Sequence, residues 1–347
     1  MQFNTTAELP VPTTLRGHVR QGIVHEGSEG VSKELSGPKL VSPADRKLRI
    51  INLGAVIVPL VALAVAMALL WGHGFNWTQA IISMGMSLAS AVGITVGYHR
   101  LVTHKSFQTP APVRYIFAAL GSMAVQGPVI EWAGVHRRHH QHSDEEGDPH
   151  SPHASADGSW GTGIRATFRG FYHAHVGWLF RGRSKGLGRY TKDLRADKVL
   201  NAVDKQFLFW VAFGLVLPAL LGGLITMTWI GALQGFLWGG LIRILVVHHI
   251  TWSVNSVCHL WGTSPFDCGD HSRNNAIVGI LGLGEGWHNN HHAFPTSARH
   301  GLRWWELDMS YMLIRVLWLV GLARNIRVPD AQRLAAKTAR GRAASRQ

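Results

Sequence analysis

The sequence predicts an all-α integral membrane protein: four transmembrane helices in two hairpins, with a cytosolic helical cap that gathers histidines on one side of the membrane. Three observations predict it. Uncharged apolar runs long enough to cross a bilayer occur in two pairs, Lys and Arg are confined to one set of the segments between them, and four histidine groups fall just beyond helix ends on that basic side. A composition of 46% hydrophobic and 16% charged residues departs from the soluble balance in the same direction.

Residues 1–45 are rich in Gly, Ser, Thr, Pro and charge, lack the apolar core of a signal peptide, and read as a disordered tail. Residues 50–71 carry no charge, and a helix of that length reaches about 33 Å, enough for the hydrocarbon core. Residues 78–98 repeat the pattern after a short link bounded by Trp71 and Trp77, which gives the first hairpin. Residues 207–242 are uncharged and too long for one crossing. The polar, Gly-containing stretch 228–235 marks the reversal, so spans of about 207–228 and 233–252 follow. Pro218 should kink the third span, with its freed carbonyl satisfied by a neighbour. Residues 113–130 are apolar but short and broken by Arg114, Gly121, Gln126 and Pro128, which suits a segment that dips into the interface without crossing. Residues 329–347, with Arg333, Lys337, Arg340, Arg342 and Arg346, read as a basic tail.

The links at 72–77 and 228–235 hold no Lys or Arg, whereas Arg46, Lys47, Arg49, Arg100, Lys105 and residues 181–198 are densely basic. The positive-inside rule then puts both termini and the long middle segment in the cytoplasm. A membrane surface accounts for most of the net charge of +14, and nucleic acid is not an expected partner. Cys258 and Cys268 fit no metal or redox spacing and point away from disulfide dependence.

The 21 histidines are informative by position. His99 and His104 form HxxxxH at the exit of span two, His136, His139 and His140 form HxxHH, Asn255 and His259 form NxxxH after span four, and His288, His291 and His292 form a second HxxHH. Residues three and four apart share a helical face, so each HxxHH aims three imidazoles at one place. A five-residue spacing does not, and His99 and His104 are expected to straddle the end of the span. Nine histidines exceed the four or so ligands that close a zinc site, so two ions are implied. Imidazole suits zinc, copper, iron or nickel. The absence of an HExxH helix, and a site between an apolar interior and the cytosol where an apolar substrate can meet dioxygen, point to iron. The remaining histidines, including His248 and His300, are read as ordinary or supporting residues.

The order of these boxes around paired apolar hairpins resembles the membrane fatty acyl desaturases, and more narrowly the delta-9 acyl-CoA desaturases of stearoyl-CoA type. Glu131-Trp132-Ala133, Asp148-Pro149-His150, His175-Val176-Gly177-Trp178-Leu179, Gly284-Glu285-Gly286-Trp287 and Ala293-Phe294-Pro295 extend the likeness over residues 50–325. The resemblance implies a desaturase domain over residues 46–328, its cap formed by 99–206 and 253–328. It also implies two Fe ions held by His99, His104, His136, His139, His140, His259, His288, His291 and His292, with Asn255 acting through water, and dioxygen as co-substrate. The substrate would be a long-chain saturated acyl-CoA, or an acyl-lipid, that receives a cis double bond. Trp178 and the basic Arg181, Arg183, Lys185 and Arg189 fall where relatives hold the nucleotide, and Ser83 and Ser87 near the far end of the acyl tunnel. The chain carries no cytochrome b5 domain, so electrons would come from a separate ferredoxin, cytochrome b5-like protein or flavin reductase.

A fatty acyl or alkane hydroxylase would share the metals but return oxygen to the substrate, and product mass separates the two. A histidine-rich metal transporter would need polar ligands inside its spans, where Arg243 is the clear charge in the fourth and none stands in the first three.

Overall fold

The structure, a computed structural model, describes residues 43–69, 76–155, 158–181 and 186–344. The tail up to residue 42, the link at 70–75, and Arg183 with Lys185 lie outside the described residues. The helices are α1 Pro43–Leu69, α2 Trp77–Val92, α3 Ala111–Ser122, α4 Val129–Gln141, α5 Ile164–His175, α6 Gly188–Arg195, α7 Lys198–Lys205, α8 Phe207–Thr226, α9 Trp229–Gly235, α10 Arg243–Ser256, α11 Ala276–Leu281, α12 His288–Ala293, α13 Met309–Leu319 and α14 Ala331–Ala344. Two π-helical segments, Gly93–Thr103 and Phe236–Ile242, continue α2 and join α9 to α10.

Four continuous helical stretches are long and apolar enough to cross a membrane: Asp45–Ala68, Trp77–Thr103, Phe207–Thr226 and Trp229–His259. They divide by burial. The first and third are 17% buried, the second and fourth 44% and 56%.

Three boundaries differ from expectation. The first helix starts at Pro43, with Asp45 in its first turn where a carboxylate favours the positive helix end, so it reaches into the segment expected as tail. The reversal between the last two spans takes only Met227, in the left-handed region at φ 53°, and Thr228, whose hydroxyl accepts from Gly231 N. The glycines that suggested a loop at 228–235 instead let two helices touch. A Cβ on Gly231 would stand 2.7 Å from Gly222 O, and one on Gly235 2.0 Å from Pro218 O. The basic stretch after residue 329 forms α14.

The apolar segment expected to dip into the interface is the pair α3 and α4, joined by a turn at 123–128 that holds Val125 at φ 60°. That turn is capped by side chains of the fourth span. Arg243, fully buried, donates to Met123 O at 2.8 Å, and His248 Nε2 to Ala124 O at 2.9 Å. The same guanidinium bonds Ser90 Oγ and reaches Gly214 O at 3.2 Å. Gly214 is four residues before Pro218, and its carbonyl is therefore the one the proline leaves without a helical donor. One cation thus satisfies orphan carbonyls on two helices, which makes its burial tolerable with no carboxylate partner among the described residues.

Candidate metal centre

The first surprise of the site is local. His99 and His104 both belong to the end of span two, where Gly93–Thr103 winds as a π-helix and His104 N donates to His99 O at 3.1 Å. In a π-helix the i to i+5 bond brings residues five apart to the same side. The HxxxxH spacing is therefore matched to this wider helix: His99 lies on it, His104 caps it just past its end as expected, and the two rings stand 4.8 Å apart. Glycines permit it: a Cβ on Gly93 would lie 2.2 Å from Gly121 N of α3, so the widened helix presses directly on its neighbour's backbone.

The nine histidines separate into two clusters, His99, His104, His136, His140 and His291 in one, His139, His259, His288 and His292 in the other. The HxxHH helices serve both, because the first two positions of α4's box point to different clusters. In the larger cluster the Nε2 atoms of His99, His136, His140 and His291 follow one another at 3.0, 3.0, 2.9 and 3.1 Å around a ring. A square of that side has a half-diagonal of about 2.1 Å, the length of a metal–imidazole bond. Tetrahedral ligands would stand about 3.4 Å apart. His104 is apical: its ring lies 4.8, 5.1, 4.7 and 4.6 Å from the four, while the opposite corners His136 and His291 are 6.0 Å apart. In the smaller cluster His139 and His288 are nearly parallel at 6.4 Å, with His259 and His292 beside them, and His259 and His288 bring their Nε2 atoms to 3.0 Å. The larger donor set fits a divalent ion with right-angled coordination, and the smaller brings four imidazole nitrogens within 4.8 Å of one another, close enough to share an ion.

Burial first, then the repulsion of neighbouring rings, holds His104, His136, His140, His288, His291 and His292 well below the ordinary imidazole range. Those shifts favour the neutral form of these six rings, whose lone pair is what metal ligation requires. Carboxylates stand behind several of them: Glu285 at His99, Asp148 at His139, Asp144 at His259 and Asp270 at His292. Burial alone would raise Asp144, Asp148 and Glu285, but the imidazoles they face, and Arg100 beside Glu285, bring them below the usual carboxylate range. Gly284, at φ 111°, packs against Asp308 and sets Glu285 in place. Arg100, read from the sequence as a topological charge, is fully buried and pairs with Glu285, Asp308 and His300 Nδ1.

A cavity of about 440 Å³ lies beside α1, with Asn52, Trp178 and Arg181 in its wall, and a second of about 60 Å³ lies between the second and fourth spans. Trp132, His136, Thr251 and Asn255 line both, so they stand where the two meet. The narrow part is walled by apolar residues such as Ile94, Val247 and Val254, and by His99 and His288, one ligand from each cluster. Of the other residues predicted for the substrate, Arg189 turns to Tyr190 Oη, and Ser83 donates to Trp238 O. Neither Ser83 nor Ser87 lines the cavity, which α2 reaches at Ala91.

Fold and site together define a class: a helical membrane protein with two histidine clusters able to hold metal ions against an apolar cavity. The chain belongs to the fatty acid desaturase family, whose model matches residues 75–318. It is 42% identical, over 81% of its length and 87% of the relative's, to a hex-5-enoyl-[acyl-carrier protein] acetylenase of Moorena producens. It is 40% identical to an sn-1 stearoyl-lipid 9-desaturase of Anabaena variabilis, over 74% of this chain and 86% of that one. To an icosanoyl-CoA 5-desaturase of Limnanthes douglasii it is 39% identical, over 76% and 70%. It is accordingly an oxidoreductase of fatty acyl chains.

Proposed function

We propose that this protein holds two iron ions and introduces a cis double bond, at the delta-9 position, into a long saturated acyl chain. The observation that carries the reading is the square of imidazoles at the wall of a narrow apolar cavity. Neutral nitrogens set in a square would suit iron better than the tetrahedral set of a zinc site. The bound ions would supply dioxygen activation: two hydrogens from neighbouring carbons, with two electrons from a separate carrier and two protons, would take the dioxygen to two water molecules. The chain's own residues position and exclude. Trp132 Nε1 donates to Gln126 Oε1, and Gln126 Nε2 to Thr251 Oγ1, which locks the junction where an acyl chain would pass the metals. The apolar wall beyond keeps water from the reacting carbons. Asn255 lines the same junction, which suits its expected role through water.

For the acyl donor, the wide mouth favours a lipid-linked chain over the acyl-CoA expected from sequence. Its wall includes Asn52, Ala55 and Val56 of the first span, a route by which a chain can enter without its headgroup leaving the membrane. Of the basic CoA candidates among the described residues, Arg181 lines the mouth and Arg189 does not. The cap, both termini and the site face the cytoplasm by the distribution of Lys and Arg, and a separate electron carrier docks there.

The test is a fatty-acid profile of cells expressing this chain or its His136→Ala variant, with bond position read by mass spectrometry. New cis-9 monoenes that vanish in the variant are expected; a hydroxylated product would move the assignment to a hydroxylase. Stearoyl-CoA and stearoyl lipid offered separately to the purified protein distinguish the donors.

A further inference from the structure

The two clusters are supported unequally. In the four-histidine cluster Asp148 Oδ2 stands 2.9 Å from His139 Nδ1, Asp144 Oδ2 2.8 Å from His259 Nδ1, and Asp270 Oδ2 2.6 Å from His292 Nδ1. Each carboxylate is itself oriented: Asp144 accepts from Ser151 Oγ and His271 N, Asp148 from Asp144 N and His150 N, and Asp270 from Ser272 N. In the five-histidine cluster, among the described residues, only His99 has such a partner, Glu285 at 2.5 Å, and that carboxylate is shared with Arg100. Burial runs the same way. All four rings of the smaller cluster are buried, whereas His104, His136 and His140 of the larger are only partly so.

A carboxylate on Nδ1 fixes the tautomer, turns Nε2 to the metal and makes it a stronger donor; losing one such partner costs about 10- to 100-fold in metal affinity. We propose that the four-histidine position is the firm one, retaining its ion, and the five-histidine position the exchangeable one. The fifth imidazole opposes this, but it is one extra neutral ligand against two additional carboxylate partners and full burial. Asp144, Asp148 and Asp270 are then positioning residues for one ion and Glu285 for the other.

The inference rests on the di-iron reading, and one experiment separates them. Ferrous protein in detergent is mixed with a water-soluble iron(II) chelator, and release is followed by the colour of the complex. Two equivalents leaving in a fast and a slow phase are expected, with Asp270→Asn speeding the slow phase about 10- to 100-fold and Glu285→Gln acting on the fast phase alone. His104→Ala should release one equivalent, at the unchanged slow rate. It also serves if Asp270→Asn fails to fold. Two equivalents leaving in a single phase, or a fast phase in His104→Ala, would overturn the inference and leave the di-iron reading intact. Fewer than two bound equivalents in the unmodified protein after reconstitution would overturn both.

Discussion

The two outer spans, Asp45–Ala68 and Phe207–Thr226, and the two inner ones, Trp77–Thr103 and Trp229–His259, are all long and apolar, yet they are built to different rules. The outer pair presents most of its surface outward and holds neither a cluster histidine nor a π-helical segment. The inner pair is about half buried, contains both π-helical segments, ends in His99 and His259, and packs through glycine and polar side chains. Hydropathy needs only the right average, whereas ligation needs a particular rotation of each residue. Inner-span residues are therefore far less replaceable, although the two pairs look alike to a bilayer.

The comparison can be pressed hardest with glycine. Gly93→Leu, whose Cβ would meet the backbone of Gly121, should yield no monodisperse protein from detergent, while Gly54→Leu on the first span, with nothing within 4 Å, should purify and melt normally. Deleting Val102 shortens the first box to the spacing an ordinary α-helix would prefer. The spans should still form, but desaturation should fall to background and bound iron to about half. Arg243→Met removes the donor to Met123 O and Gly214 O and should lower stability by about 3 kcal/mol, read as a fall in melting temperature. At the small end, Leu224→Ala on an exposed face of the third span should change stability by less than about 0.5 kcal/mol. A large effect there would show that the outer pair is more than a wall.

Much of this architecture was legible in the chain, because burial in lipid demands long uncharged runs and those are visible one residue at a time. The nine histidines were equally visible, through repeated spacing at helix exits. Their division between two clusters was not, since HxxHH spacing groups three rings on a face without saying that His139 leans one way and His136 and His140 the other. The π-helix was hidden for a related reason: an apolar run has no periodicity from which a wider turn can be read, and HxxxxH was the only sign. Asp144 and Glu285 lie close to a box, but short acidic residues near a helix end serve caps and turns as often as histidines, and Asp148 and Asp270 stand too far along the chain from any box for spacing to assign them. Arg100 and Arg243 show the opposite error, in which a charge counted toward topology or set aside as an anomaly turns out to be structural.

Arg243 also bears on how the chain is made. A central arginine opposes entry of a lone helix into the bilayer by about 2.5–3.5 kcal/mol. Its acceptors outside its own helix, on Ser90, Met123 and Gly214, all precede it in the sequence, so each has been synthesised before the fourth span emerges from the ribosome. The last span to be translated is thus the one whose buried charge depends on partners already made.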